Sequence, residues 1–310
     1  MALPITLALS FFSFLLLSLL SLLTIAFFTL FERKVIGLIH SRVGPTKVSF
    51  LGLIQPLLDA FKLLSKSSFY SLRRNIFLYS LSPHFGLGVS ILIWVRVPFV
   101  YSFFYSSFSL LYFMVVGSIL VFAILVAGWS SNSKYSFIGS LRSVAQSISY
   151  EAVITTLVVL MVTLLGTYHV YAVGYSFGLL SLLLIPIWIF CTLAESHRAP
   201  FDFSESESEL VSGFNTEYSG AYFAFIFLTE YGVLLVGSNI IRYLFFGYFL
   251  FTLPHFLLPL VLSLASLVVS FTFIWIRVTY VRYRYDLLIM AAWKRLLPIS
   301  LFFLIVSLLF

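Results

Sequence analysis

Charge is the scarcest property of this 310-residue sequence: Asp, Glu, Lys and Arg together supply 9% of it, against about 25% in an average soluble domain. Hydrophobic residues supply 61%, and the mean hydropathy is +1.10. A soluble chain of that composition would have to wear a largely apolar surface. Globular cytosolic, disordered and collagenous classes are therefore excluded. Cysteine is reduced to Cys191, so the chain has no internal disulfide. Nor can it hold an iron–sulfur cluster alone, because that takes about four sulfur or imidazole ligands. His40, His84, His169, His197 and His255 show no metal-ligand spacing, and no metal is expected. There is no phosphate loop, and Gly86-Leu87-Gly88 lacks a third glycine and lies in an apolar run, which is helix packing and not a dinucleotide loop. NADH chemistry on this chain is excluded, so any redox role must come from a partner or a lipid-soluble carrier. The net charge of +7 reports membrane topology and not nucleic-acid binding.

What is abundant is long apolar sequence. A helix needs about 20 apolar residues to cross a bilayer. Residues 1–31 carry no charge and stop at Glu32-Arg33-Lys34. That run lacks the basic start, short apolar core and small-residue end of a secretory leader, so it is expected to stay as the first span. The later uncharged runs extend the count to eight helices, roughly 3–31, 76–96, 108–128, 146–165, 177–194, 218–241, 253–276 and 286–309. Lys294, Arg295 and Pro298 sit inside the last. The expected fold is an all-α integral membrane bundle, a single membrane domain over 1–310 with no internal repeat. Lys and Arg number 8 in 32–75, 2 in 129–144, 1 in 195–217 and 5 in 277–295, which is 16 of 18. The positive-inside rule places those odd-numbered loops in the cytoplasm or its mitochondrial equivalent, the matrix.

Three loops carry chemistry. Gln55, Asp59, Lys62 and Lys66 share one helical face opposite Leu57, Leu58, Phe61 and Leu64, and Pro56 suits a first helical turn. This predicts an amphipathic helix lying at the interface, either as a bundle anchor or beside the access path of a lipid-soluble substrate. Arg142, Gln146 and Ser149 form a polar stripe flanked by Ser143, Ser147 and Glu151. Such a stripe must face protein or water, unless it is only a snorkelling helix end. Residues 195–217 gather Glu195, Asp202, Glu205, Glu207, Glu209 and Glu217 against Arg198. Either this is a solvated acidic loop, or its carboxylates are crowded and partly buried and some carry protons. Glu230 lies deep in an apolar run, where an acid is a functional candidate by default; a structural acid hydrogen-bonded to another helix is the alternative.

The loop motifs also resemble a known family. Glu32-Arg33-Lys34-Val35-Ile36-Gly37, Arg42 with Gly44-Pro45, Gly52-Leu53-Ile54-Gln55-Pro56 and Asp59-Ala60-Phe61-Lys62-Leu63 are similar to the first matrix loop of the chain 1 family of NADH:ubiquinone oxidoreductase, respiratory complex I. Gly128-Trp129-Ser130-Ser131-Asn132-Ser133-Lys134-Tyr135 and 141–151 resemble its second. Leu193-Ala194-Glu195, Arg198-Ala199-Pro200-Phe201-Asp202 and 205–218 resemble its third, and Trp275-Ile276-Arg277 with Arg282-Tyr283-Arg284-Tyr285-Asp286 its last. The resemblance covers all four odd loops in order. It departs at Ser67, where the family usually has an acid, and at Val281, where proline is frequent.

The resemblance implies a membrane-arm subunit that helps form the ubiquinone chamber and couples quinone reduction to proton translocation. It puts quinone-chamber positions at Arg33, Asp59, Arg198, Phe201, Phe227, Arg277 and Arg282. Proton-route positions fall at Glu151, Glu195, Asp202, Glu205, Glu207, Glu217 and Glu230, to which the polar stripe and the acidic loop add Arg142 and Glu209. The implied partners are the other membrane-arm and hydrophilic-arm subunits, ubiquinone as substrate, and membrane lipids. FMN and iron–sulfur clusters would reside on partner subunits, and no nucleic acid is implied. The implied location is the mitochondrial inner membrane, both termini on the intermembrane-space side, with a bacterial plasma membrane as the alternative. From the residues alone, a proton-coupled secondary transporter is the competing reading, although transporters of that kind usually show two related halves.

Overall fold

A computed structural model describes residues 2–67, 74–95, 97, 108–166, 168, 179–203, 211–251 and 257–309. Its helices are α1 (Ala2–Ile39), α2 (Gln55–Ser65), α3 (Ile76–Val95), α4 (Ser109–Ser130) and α5 (Lys134–Leu165). Then come α6 (Leu179–Glu195), α7 (Ala221–Phe251), α8 (Leu258–Thr279), α9 (Tyr285–Ala291) and α10 (Leu297–Leu309). The described residues contain no strand. Seven helices among them are long and apolar enough to cross a bilayer, α9 and α10 counting as one over Tyr285–Leu309. The run expected as the fifth span corresponds to α6, whose apolar stretch Leu184–Glu195 is shorter than that. Many Leu and Phe side chains point outward, Phe11 and Phe12 at 65% exposure among them, so the surface is built for a lipid solvent.

Several boundaries differ from the sequence expectation, each for a physical reason. Glu32, Arg33 and Lys34 do not end the first helix, which runs on to Ile39; these residues are good helix formers. The turn comes later, where Ser41 adopts φ 55° and Arg42 N–H donates to the Gly37 carbonyl at 2.9 Å. The stretch 134–145, expected as loop, is helical, because Ser133 caps α5 by accepting from Ser136 N–H at 3.3 Å. The last span keeps its length despite Lys294, Arg295 and Pro298: a π-helical turn at Ala292–Leu296 precedes the proline. A wider turn of that kind is one way to absorb the backbone bond a proline cannot make.

The core lies around α5. Its Tyr150, Val153, Leu157, Leu160 and Met161 are fully buried, beside Leu184, Trp188 and Cys191 of α6. Hydroxyl pairs join α5 to α10, Thr156 to Ser300 at 2.7 Å and Thr163 to Ser307 at 3.2 Å. In lipid, packing and such interhelical bonds hold helices together, because the tails are as apolar as leucine. The polar stripe of α5 faces protein: Ser140, Ser143, Gln146, Ser147 and Ser149 are all buried. Its serines satisfy themselves on carbonyls one turn back, as Ser147 does on Ser143 at 2.6 Å. That leaves Gln146 to work between elements. Its amide donates to the Ala194 carbonyl at 2.8 Å and the Phe201 carbonyl at 2.9 Å, tying α5 to the end of α6 and the segment beyond it. Gly139 allows the other half of the acidic loop to close in, since a Cβ there would stand 2.9 Å from Gly213 Cα.

Candidate functional site

Buried charge is concentrated where α1, α7, α8 and the segment after α6 meet. Glu32 sits on the inner face of α1 with Ile25, Phe28 and Val35, all buried. Its carboxylate accepts from Tyr231 Oη of α7 at 2.7 Å and is ion-paired with Arg277 of α8. Tyr231 in turn carries the Arg198 guanidinium over its ring at 4.1 Å, and Phe227 lies 5.4 Å from the same group. Arg198 then pairs with Glu230 at 2.9 Å, with 6% and 8% of the side chains exposed. Arg277, Glu32, Tyr231, Arg198 and Glu230 thus form one chain of alternating charge across the bundle. Isolated buried charges would cost several kcal/mol each, whereas paired and hydrogen-bonded ones are tolerable.

Two exposed pairs flank this chain. Arg33 reaches Asp59 of α2 at 2.6 Å, and Gln55 donates to the same carboxylate at 2.9 Å, so α2 is fastened to α1 by the polar face that its spacing predicted. Arg282 lies 3.4 Å from Asp202. Beside them Tyr283 N–H donates to the Pro200 carbonyl at 3.2 Å, and Phe201 stacks on Tyr283 and meets the Phe190 ring at a tilt. Of the expected quinone-chamber positions, Arg198 and Arg277 therefore belong to the charged chain, and Phe227 lies against Arg198. Arg33 with Asp59 and Phe201 with Arg282 form its flanks.

The expected proton-route residues are divided. Glu151, Glu195 and Glu230 line one cavity of about 70 Å³ between α3, α4, α5, α6 and α7. Glu195 lies against Gly117 of α4, where a Cβ would stand 3.5 Å from its carboxylate oxygen. Glu217 lies outside that lining; its carbonyl accepts from Tyr79 Oη at 2.6 Å, and Tyr79 stacks on Tyr218 at 4.2 Å. Arg142 stands 5.7 Å from the Tyr285 ring, and Asp202 is held by Arg282. Glu205, Glu207 and Glu209 lie outside the described residues. Glu230, measured from the start of α7, is about 14 Å along its helix at about 1.5 Å per residue. It does not stand alone in lipid, because Arg198 descends to meet it.

Three participants were not singled out from the sequence. Glu32 read as the charged end of a span, although its spacing from Ile25, Phe28 and Val35 already put it on the buried face. Tyr231 carried no signal beyond following Glu230. His197 gave no metal spacing, yet it is 3% exposed and lines the cavity of the three acids. Burial and the neighbouring Arg198 cation hold its imidazole down at about 4, so it is neutral at physiological pH. No group of three or more His, Cys, Asp or Glu suited to a metal occurs among the described residues.

A second, larger cavity of about 890 Å³ runs between α1, α7 and α8, with Leu16, Leu20, Phe27, Phe28, Phe31 and Leu267 among its walls. Phe28 meets Tyr231 edge-on at 5.9 Å, so this apolar cleft ends against the charged chain.

A family model described as NADH dehydrogenase matches residues 12–308. The chain belongs to the NADH dehydrogenase family. Among its relatives is a protein named NADH-ubiquinone oxidoreductase chain 1 from Aedes aegypti, 43% identical over 282 residues, which are 89% of this chain and 88% of that one. Proteins of the same name come from Locusta migratoria, 44% identical over 304 residues, 94% and 92% of the two chains, and from Heterololigo bleekeri, 41% over 295 residues, 93% of each. As an NADH dehydrogenase family member with several membrane-spanning helices, it is by kinship a multi-pass membrane subunit of an oxidoreductase.

Proposed function

We propose that this chain is the membrane-arm subunit that helps form the ubiquinone chamber of respiratory complex I and couples quinone reduction to proton translocation. The observation that carries the reading is the meeting of an apolar cleft with the buried chain Arg277, Glu32, Tyr231, Arg198 and Glu230. A cleft walled by Leu and Phe and open toward lipid suits an isoprenoid tail. A charged, hydrogen-bonding wall at its end suits a head group that turns polar on reduction. Electrons would arrive from FMN and iron–sulfur clusters on partner subunits. This chain would hold and orient the carrier and keep charge fixed beside its path.

Reduction of a quinone draws protons, and new negative charge in the chamber perturbs nearby carboxylates. The chain from Arg277 to Glu230 gives that perturbation a physical route to the cavity holding Glu151 and Glu195. Asp202, Glu205, Glu207, Glu209 and Glu217, with Arg142, complete the proposed proton route. The eight-span count over a single membrane domain, with the basic loops on the matrix side of the mitochondrial inner membrane, belongs to the same proposal. Family membership argues against the secondary-transporter alternative. The test is mild-detergent solubilisation of source membranes: the chain should co-migrate with a very large assembly carrying NADH–quinone reductase activity. Migration of the chain alone, away from that activity, would overturn the reading.

A further inference from the structure

The cavity between Glu151, Glu195 and Glu230 has a fourth polar wall that the proton route does not use. His197 follows α6 by two residues and is 97% buried, the complement of its 3% exposure. Neither of its ring nitrogens has a hydrogen-bond partner among the described residues. Buried polar groups are nearly always satisfied by protein or by ordered water. At about 70 Å³ the cavity has room for two or so waters at roughly 30 Å³ each, and its lining offers the two to four polar partners a buried water needs.

We propose that His197 is a proton-transfer residue that links, through water in this cavity, the ion-paired Glu230 on one side with Glu195 and Glu151 on the other. This rests on the proton-coupling reading above, and adds to it a residue that reading does not contain. The charged groups that share the cavity with His197 are Glu151 from α5, Glu195 from the end of α6, and Glu230 with its partner Arg198. The lining from α3 and α4, Ser82, Pro83, Gly86, Gly117 and Leu120 among it, holds no titratable group.

The chemistry suits a neutral ring. A neutral imidazole carries a donor on one nitrogen and an acceptor on the other. A proton from a protonated carboxyl passes through water to the acceptor nitrogen, and the N–H on the other nitrogen releases its proton toward the opposite carboxylate. The ring ends neutral in the other tautomer, the first carboxyl is left ionised and the second protonated. No electrons move, and a ring flip or the reverse transfer resets the tautomer. Arg198 keeps the ring from staying cationic, so it passes protons and does not store them.

The test is His197→Asn in the assembled complex, which keeps an amide of similar reach but removes proton exchange. NADH oxidation by an artificial acceptor, which takes place on other subunits, normalises for assembly. Because the carboxylates remain, the expected loss of coupled quinone reduction and pumping is a few-fold, well short of the roughly hundredfold or more of a lone general base. It should come with a changed pH profile. An unchanged profile with unchanged pumping would overturn the proposal. If His197→Asn does not assemble, the unaltered complex decides by its water density in this cavity at high resolution. Ordered water within hydrogen-bond reach of both the His197 ring and a cavity carboxylate supports the proposal; a dry cavity overturns it. These readouts do not depend on whether quinone binds in the cleft, so their failure is separable from failure of the chamber reading.

Discussion

Arg198 and Glu230 lie 2.9 Å apart with both side chains almost wholly buried, and they come from different elements 32 residues apart in sequence. The pair pins the segment after α6 to the middle of α7. In doing so it sets His197 and Glu195 on one side and the Tyr231–Glu32–Arg277 chain on the other. Removing one partner strands a buried charge, which costs about 3–5 kcal/mol, whereas replacing both with apolar groups of similar size is often neutral. Arg198→Met and Glu230→Leu alone should each lower assembly sharply. The double variant should recover assembly without recovering quinone reduction. Thermal dissociation of the complex and quinone reductase assays measure the two separately.

Glu32 should matter for activity more than its place at the end of an apolar run suggests. Glu32→Gln keeps a group that can accept from Tyr231 but removes the charge that Arg277 meets. Hydrogen bonds to charged groups are worth about 1.5–3 kcal/mol, so quinone reduction should fall by roughly tenfold or more. Artificial-acceptor oxidation reports assembly in the same preparation, and Glu32→Asp should restore part of the lost rate.

Gln146 is a structural clamp, and its loss should read as instability. Gln146→Leu removes one of two donors from each of the Ala194 and Phe201 carbonyls, which keep the backbone N–H of His197 and Phe203, at a cost of about 0.5–1.5 kcal/mol per lost bond. Less complex should accumulate, with a lower dissociation temperature. The turnover of whatever complex forms should stay close to normal.

His197 makes one defined contribution to the pH dependence of stability. Its imidazole titrates near 6.5 when unfolded but is held at about 4 in the folded chain by burial and by Arg198. The unfolded chain therefore binds a proton that the folded chain refuses. The contribution of the buried neutral ring is complete above about pH 6.5 and is lost as pH falls toward 4, by roughly 3 kcal/mol in all. Thermal scans between pH 7 and pH 4.5 should show the unaltered complex losing more of its midpoint, or gaining less, than the His197→Asn complex over the same interval.

Much of this was legible in the sequence because periodicity and loop motifs carry it. The offsets of Gln55, Asp59 and Lys62 fixed the polar face of α2, and the fastening to Arg33 lies on that face. The stripe from Ser143 to Glu151 announced burial, and Gln146 is indeed wholly buried. What stayed hidden were pairings that depend on tertiary structure. Glu32 and Arg277 are 245 residues apart and Glu32 and Tyr231 199 apart, and no local pattern links such positions without an alignment. Helix ends were misjudged for another reason: charge marks where a helix leaves lipid, not where it stops, so α1 and α5 extend well past the apolar runs that revealed them.

The central claim is that a lipid-soluble quinone travels the cleft between α1, α7 and α8 and reaches the charged chain at Glu32 and Tyr231. Photo-crosslinking of the intact complex with a quinone analogue bearing a reactive group near its head tests this most directly. The account predicts label on peptides containing Phe28 to Arg33 and Phe227 to Tyr231, reduced by competing ubiquinone. Competable label that appears only elsewhere in the complex, with both of these peptides unmodified, would contradict it.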